Sequence, residues 1–211
     1  MLLVDIPLKL DTSELPDEVH DLLDEAERRC EEFYASGLGP RYYRYVPSDP
    51  VVVYAAIRYL NETRALRGRN FCELGCGFAI ASGLAALQGM SAIGLEWEEE
   101  LTKRARSLMA EFNLDVTVMN QSYLPEGYES CEGIGGKDLV IPGEARARGL
   151  DRLPPEYDGL DPAEVDLFFV YPWPDEEEFM KALFREISSE GAVLLMYQGE
   201  GEISAFLHDI S

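Results

Sequence analysis

The sequence predicts an α/β fold built on a doubly wound, mostly parallel β-sheet, and two observations over its 211 residues support this prediction. Short apolar runs of strand length alternate with longer segments whose apolar residues recur at helical spacing. Glycine and proline stand at the boundaries between them. Such alternation is typical of parallel strands joined by helices, and right-handed crossovers favour the strand order 3-2-1-4-5.

The N-terminal part, residues 1–47, is predicted to form a helical cap over the ligand site of the sheet. Residues 15–35 carry apolar side chains at helical spacing, with acidic residues between them. Residues 48–50, Ser-Asp-Pro, then supply N-cap candidates and a proline suited to the first turn of a second helix. This helix is predicted to run to about Arg67, just before Gly68, and to lead into the first strand.

The predicted elements of the sheet follow in alternation. They are strand 71–74, helix 80–87, strand 92–95, a helix from about Glu98, strand 116–119, strand 165–170, a helix over 179–187 and strand 192–197. Residues 124–164, between the third and fourth strands, are rich in glycine, proline and charge. We interpret them as an insertion of loops with room for a hairpin, which either covers a ligand or is a plain surface excursion.

Charge and cysteine content restrict the class of function. The chain has 18 Lys and Arg against 40 Asp and Glu, a net charge of -22 that repels polyanions, so a nucleic-acid partner is not expected. Arginines 64, 67 and 69 are better explained as helix-end or solvated charge than as a phosphate site. The cysteines lack metal-site spacing and only two histidines are present, so no metal is expected and the cysteines are predicted to be reduced.

The chain also lacks the features of a membrane or secreted protein. No apolar run reaches the roughly 18 residues of a membrane span, and the N-terminus does not have the pattern of a signal peptide. We therefore expect residues 1–211 to form one cytoplasmic domain without a membrane partner. The sequence leaves its oligomeric state open.

A buried strand that breaks at two glycines and enters a helix occupies residues 71–80. Gly75 and Gly77 let the backbone turn tightly and approach a ligand closely. A dinucleotide-binding fingerprint requires a third glycine where Ile80 stands, so binding of NAD or FAD is disfavoured. The second strand ends at Glu96, about 20 residues after the first glycine, where a carboxylate can accept hydrogen bonds from both ribose hydroxyls of an adenosine.

These residues resemble the first motifs of the class I, Rossmann-like methyltransferases, which depend on S-adenosylmethionine. The family pattern of an acidic residue and two glycines, each separated by one residue, is met by Glu73, Gly75 and Gly77. The resemblance covers residues 46 to about 125 well and the strands near 166–197 loosely. It implies a Rossmann-like fold, S-adenosylmethionine as cofactor and transferase activity.

The resemblance also implies residue roles. The acidic residue and the glycine loop hold the methionine end of the cofactor in this family, and the acid that ends the second strand holds the ribose. Ala79 replaces a frequent third glycine, and residues 120–123, Asn-Gln-Ser-Tyr, stand where the family often has an acid near the adenine. The predicted cofactor-binding residues are Glu73, Gly75, Cys76, Gly77, Glu96, Trp97, Ser122 and Tyr123, with Trp97 as a wall for the adenine.

The acceptor side is predicted at Tyr171-Pro172-Trp173-Pro174, because in this family the segment after the fourth strand borders the transferable methyl group. Tyr171 and Trp173 are the predicted catalytic residues: the first by hydrogen bonding or proton transfer, the second through its ring. The alternative is that both aromatics only pack the loop. The acidic surface and a short match of residues 46–50 to some protein-lysine-modifying members favour a cationic amine or protein lysine as acceptor.

The sequence leaves alternatives open for both the sheet and the function. Members of the family usually add a reversed hairpin after the fifth strand, yet only residues 198–211 follow here, so either the sheet lacks this hairpin or the chain is incomplete. The second hypothesis for the function is a non-catalytic protein that binds S-adenosylmethionine or S-adenosylhomocysteine in the same pocket. A nicotinamide-dependent oxidoreductase is a third.

Overall fold

A computed structural model describes residues 2–42, 45–131, 138–140 and 155–209. Its helices are α1 (Asp17–Ala35), α2 (Pro50–Glu62), α3 (Ile80–Leu87), α4 (Glu99–Glu111) and α5 (Glu177–Ile187), with a 3-10 turn at Pro162–Glu164. Its strands are β1 (Leu2–Ile6), β2 (Asn70–Leu74), β3 (Ser91–Leu95), β4 (Val116–Met119), β5 (Glu129–Cys131), β6 (Asp138–Val140), β7 (Leu167–Val170), β8 (Val193–Gly199) and β9 (Glu202–Asp209). Within these ranges, no helix is long and apolar enough to cross a membrane.

The main sheet has seven strands in the order β1-β9-β8-β7-β2-β3-β4. The predicted strands 1 to 5 are β2, β3, β4, β7 and β8. They are mutually parallel and lie side by side as β4-β3-β2-β7-β8, which confirms the predicted order 3-2-1-4-5. Successive side chains of a strand point to opposite faces, so Phe168 and Phe169 of β7 enter different apolar cores. Helices α1 to α4 cover one face and α5 covers the other, as expected for a doubly wound sheet.

The sheet does not lack a C-terminal hairpin, in contrast to the shortened sheet considered from the sequence. Strands β8 and β9 pair antiparallel across Glu200 and Gly201, which both have positive φ (50° and 80°), as the tight turns of β-hairpins require. The outer edge is then β1, paired antiparallel with β9. Residues 2–6 therefore belong to the sheet, and the predicted helical cap over 1–47 is wrong for this segment.

Helix α2 begins as predicted and ends earlier than predicted. Asp49 Oδ1 accepts hydrogen bonds from the N–H groups of Val51 (2.9 Å) and Val52 (3.3 Å), and a proline follows as the first helical residue. The helix ends at Glu62 instead of near Arg67, because Arg64 adopts a left-handed conformation with φ 55°. The residues after this break form the turn that delivers the chain to β2.

Arg67 is neither a helix-end charge nor a phosphate ligand; it joins three strands at their amino ends. Its Nε donates to Asp166 Oδ1 at 2.9 Å, and its terminal nitrogens donate to three backbone carbonyls in the loops before β7 and β8. Asp166, only 6% exposed, also accepts from the N–H of Asn70 at 2.8 Å. This network aligns the strands whose opposite ends form the site described below.

The insertion over residues 124–164 contains the expected hairpin, formed by β5 and β6. Leu139 of β6 and the preceding Tyr128 are buried in the apolar core shared with α5, so this part of the insertion packs on the sheet. Leu124 and Tyr128, at the start of the insertion, also line the cavity described below. Residues 132–137 and 141–154 lie outside the described residues.

Candidate functional site

A cavity of about 670 Å³ lies at the carboxyl ends of β2, β3, β4 and β7. All residues that the sequence predicts for the site line this one cavity: Glu73, Gly75, Cys76, Gly77, Glu96, Trp97, Ser122, Tyr123, Tyr171 and Trp173. Doubly wound sheets bind ligands at this edge. Residues far apart in the sequence are thus brought together where a ligand site is expected.

The glycine loop after β2 is attached to the neighbouring strand. The N–H groups of Gly75 and Cys76 both donate to the carbonyl of Leu95, at 2.9 and 2.8 Å. Gly94 of β3 leaves space for this approach, since a Cβ there would lie 2.7 Å from the Cys76 sulfur. Burial raises the pKa of the Cys76 thiol, so this side chain stays protonated and acts as a packing group.

Glu96, which directly follows β3, is 8% exposed and connects two loops of the site. Its Oε2 accepts from the N–H of Gly77 at 2.8 Å, and its Oε1 accepts from the N–H of Glu98 at 2.8 Å. Burial raises its pKa, and these backbone hydrogen bonds counteract the rise. An ionised carboxylate offers about four acceptor positions, so Glu96 can still accept bonds from two ligand hydroxyls.

Glu73 lies at the end of β2, is 6% exposed and stabilises the start of α3. Its Oε2 accepts from both the N–H (2.8 Å) and the hydroxyl (2.6 Å) of Ser82, in the first turn of that helix. The pKa of Glu73 is raised to about 8, mainly by burial and to a smaller extent by the negative charge of Glu96, while the two hydrogen bonds from Ser82 oppose the rise. The carboxyl group therefore titrates near neutral pH.

We expect the stability of the protein to report this titration. The folded state retains a proton on Glu73 between its ordinary pKa of 4.5 and about 8, whereas the unfolded state releases it, so the free energy of unfolding falls as pH rises through this window. The slope from one group is at most about 1.4 kcal/mol per pH unit. Glu73→Gln lacks this titration, so its stability relative to the parent should increase from pH 5 to pH 8.

Denaturant unfolding at four pH values measures this difference. Glu99→Gln is the matched control, because Glu99 is exposed and pairs with Lys103 on the surface of α4. If the free energy of unfolding changed with pH in the same way for the parent and for Glu73→Gln, the raised pKa of Glu73 would be contradicted.

The loop after β4 holds the adenosine side of the predicted site. The Asn120 amide donates to the carbonyls of Glu96 (3.0 Å) and Trp97 (2.9 Å), and the Gln121 amide donates to the carbonyl of Asp158 (3.1 Å). Both amides are thus engaged in loop contacts. Ser122 Oγ accepts from the N–H of Leu124 at 3.0 Å, which leaves its hydroxyl proton to donate.

The two aromatic residues after β7 differ in their surroundings. The ring of Tyr171 packs edge-to-face on Tyr197, with ring centroids 4.8 Å apart, and its hydroxyl lies 3.5 Å from the position of a Cβ at Gly199. Trp173 precedes α5, and its carbonyl accepts from the N–H of Glu176 at 2.9 Å. Both line the cavity, so Tyr171 contributes to packing as well as to the wall of the site.

The segment before α2 contributes a wall of the cavity. It belongs to the predicted cap over residues 1–47, but the sequence names none of its residues as part of the site. Tyr45 stacks on Phe78 with centroids 4.8 Å apart, and its hydroxyl lies 3.1 Å from the Cys30 sulfur. A Cβ at Gly77 would lie only 2.4 Å from the Tyr45 ring. In the sequence, this wall corresponds to the run of aromatic and basic residues at 41–45. That run gives no indication that it contacts the glycine loop.

Comparison with known proteins identifies the fold. No protein-family model matches the sequence, and no curated protein matches it either. A solved structure of an RNA methyltransferase from Salinibacter ruber, in complex with S-adenosyl-L-homocysteine, matches with a TM-score of 0.50 and 16% identity, over 77% of this chain and 92% of that one. The chain has the class I methyltransferase fold. At this identity the similarity shows the fold alone.

Two further structures match the methyltransferase fold of this chain more loosely. An S-adenosylmethionine-dependent methyltransferase from Clostridium acetobutylicum has a TM-score of 0.45 at 12% identity, over 79% of this chain and 56% of that one. A putative type II methyltransferase from Anaeromyxobacter dehalogenans has a TM-score of 0.39 at 21% identity, over 72% and 48%. The Salinibacter protein is described as an RNA methyltransferase. The comparisons therefore do not support the expectation, drawn from the net charge, that this chain has no nucleic-acid partner.

Proposed function

We propose that this protein is an S-adenosylmethionine-dependent methyltransferase. The observation that supports it most strongly is the meeting of the predicted residues from four strand ends in one cavity. The match of the fold to a methyltransferase structure adds support. The glycine loop and Glu73 would hold the methionine end of the cofactor, and Glu96 would accept hydrogen bonds from its ribose.

The cavity has the chemistry to hold this cofactor. It contains two buried carboxyl groups, those of Glu73 and Glu96, beside a backbone loop that a ligand can approach closely. When bound, S-adenosylmethionine supplies a methyl group on a positively charged sulfonium. The residues of this chain then have to align the lone pair of the acceptor with that methyl and exclude water.

An amine, either a small molecule or a protein lysine, is the acceptor class that we prefer. The aromatic residues Tyr171 and Trp173 line the cavity together with the acidic residues Glu98 and Glu176. Among the described lining residues, Arg41 alone is basic. Such a lining attracts cations and repels phosphates. An ammonium acceptor has to release its proton to water or a carboxylate before its lone pair can attack.

Binding and turnover experiments test the two parts of the proposal. Both tryptophans of the chain, Trp97 and Trp173, line the cavity, so intrinsic fluorescence should respond to S-adenosylmethionine and S-adenosylhomocysteine but not to NAD. Formation of S-adenosylhomocysteine is then followed with a lysine-rich peptide, a small primary amine and an RNA oligonucleotide. Turnover with RNA alone would overturn the amine preference, and binding without turnover would favour a non-catalytic binding protein.

We expect Tyr171→Phe and Trp173→Ala to reduce turnover while the affinity for S-adenosylmethionine stays within about threefold of the parent, because a group that acts on the acceptor contributes mainly to the transition state. Steady-state kinetics with a confirmed acceptor, together with fluorescence titration, separates the two quantities. Tyr197→Phe is the matched control, since its ring packs on Tyr171 but is not part of the cavity lining. Parent-like turnover in both variants would make these aromatics purely structural.

A further inference from the structure

We propose that cofactor binding displaces a proton from Glu73: the free protein holds this carboxyl group as a neutral acid, and the ammonium group of the methionine end takes the place of the proton. This inference rests on the proposed function, in which Glu73 holds the methionine end, and adds that the affinity for the ligand depends on pH. The O–H bond of the carboxyl group breaks, the proton passes to the buffer, and the carboxylate pairs with the ammonium.

The two carboxyl oxygens of Glu73 have different surroundings. Oε2 accepts from the N–H and the hydroxyl of Ser82, at 2.8 and 2.6 Å. Within the described part of the chain, no hydrogen bond to Oε1 is found, and the residue lines the cavity. Oε1 can therefore carry the proton, and once the proton has left it can accept a hydrogen bond from an ammonium group.

The elements packed against Glu73 present neutral or acidic side chains to it. The neighbouring residue on β7 is the apolar Phe169, and α3 presents Ser82. Glu96, which follows β3, adds a second carboxyl group close enough to raise the pKa of the first. The described part of the cavity lining has one basic residue, Arg41, which is exposed. Among these residues, Glu73 therefore has no buried counter-ion.

Three further titratable groups near Glu73 are neutral at physiological pH. They are the Tyr45 hydroxyl, from the segment before α2, and the thiols of Cys72 and Cys76. Burial raises the pKa of each of them, and a negative charge on Glu73 raises it further. None of the three can therefore offset a negative charge on Glu73.

A buried carboxyl group with such neighbours retains its proton, since burial penalises the charged form and a second carboxylate repels it. The pKa of Glu73 is accordingly raised to about 8, mainly by burial, so the free protein carries the neutral acid at pH 7. Glu96 differs, because both of its oxygens accept backbone N–H groups, which favour its ionised form. A cation beside Glu73 favours ionisation, so an ammonium group lowers its pKa and releases the proton.

Titration calorimetry of the parent protein with S-adenosylhomocysteine, in buffers of different ionisation enthalpy, counts the protons that binding releases. Below pH 7, and thus below the pKa of about 8, close to one proton per bound ligand is expected. The dissociation constant should fall about tenfold from pH 6 to pH 7, because the complex holds one proton fewer than its separate components. Methylthioadenosine, which lacks the amino-acid group, should bind without releasing a proton.

Glu73→Gln keeps the shape of the side chain but has no titratable proton, so both the proton release and the pH dependence should be lost. Glu99→Gln is the matched control, because Glu99 is exposed and is not part of the cavity lining; it should release the same proton as the parent. The measurements on the parent decide the proposal if Glu73→Gln does not fold.

Binding of S-adenosylhomocysteine to the parent without proton release, or release that persists in Glu73→Gln, would overturn the role of Glu73 and leave the proposed function intact. Failure of the parent protein to bind either S-adenosylmethionine or S-adenosylhomocysteine would instead overturn the proposed function.

Discussion

Gly77→Val is expected to abolish measurable binding of S-adenosylmethionine. Gly77 has φ 53°, a conformation that strains a β-branched residue by about 1–3 kcal/mol, and its missing side chain leaves the space that Tyr45 occupies. Valine would displace that ring and intrude where the backbone meets the ligand. Fluorescence titration should show no saturation, although thermal unfolding should remain cooperative at a lower midpoint. Loss of the cooperative transition would instead mean that Gly77 is required for the packing of the fold rather than for the approach of the ligand.

A double-mutant cycle separates the close approach from backbone strain. Tyr45→Ala removes the ring, so Gly77→Ala should cost less unfolding free energy in that background than in the parent. Gly75→Ala is the matched control: its φ is also positive, at 79°, but an added Cβ would meet only the Tyr123 ring at 3.9 Å. If the losses of unfolding free energy from Gly77→Ala and Tyr45→Ala were additive, the Tyr45 ring would not be the reason that glycine is required at position 77.

Glu96→Ala is expected to weaken binding of S-adenosylmethionine by about ten- to a hundredfold. Two hydrogen bonds to the ribose, each contributing on the order of 1 kcal/mol, are lost. The N–H groups of Gly77 and Glu98 also lose their acceptor, which loosens both loops of the site. The loss of these loop contacts adds to the loss of the ribose hydrogen bonds, and this addition accounts for the upper end of the range.

Calorimetric titration of Glu96→Gln and Glu99→Ala provides the comparison. The amide of Glu96→Gln keeps one oxygen as acceptor, so an intermediate affinity is expected. Glu99 is exposed on the first turn of α4 and is not part of the cavity lining, so its removal should have little effect. An unchanged dissociation constant in Glu96→Ala would remove this carboxylate from the site.

Local patterns in the sequence account for the features that were predicted correctly. The five parallel strands were found because each is a short apolar run between helical segments, and the start of α2 was found because Asp49 and Pro50 are a local capping signal. The glycine loop and Glu96 line one cavity, as the short motif and the end of the following strand predict, and their binding roles stay predictions. Right-handed crossovers then restricted the strand order to the one observed.

Contacts between distant residues account for what the sequence did not reveal. Strand β1 pairs with β9, about 200 residues further along the chain, so no local periodicity marks it as an edge strand. The engagement of Asn120 with the backbone of Glu96 and Trp97, and of Glu73 with Ser82, depends on how neighbouring strand ends meet. Side-chain hydrogen bonds of this kind have no sequence spacing to predict them.

Short-range periodicity and one compact motif suffice to predict the fold class, the parallel core of the sheet and the set of residues that lines the cavity at its carboxyl edge. The folded chain adds that Arg67 joins the strands at their opposite ends, that residues 2–6 pair with β9 and that Tyr45 covers Gly77. These three features depend on packing between segments far apart in the chain. Such contacts form only when the elements between the two segments have folded and brought them together.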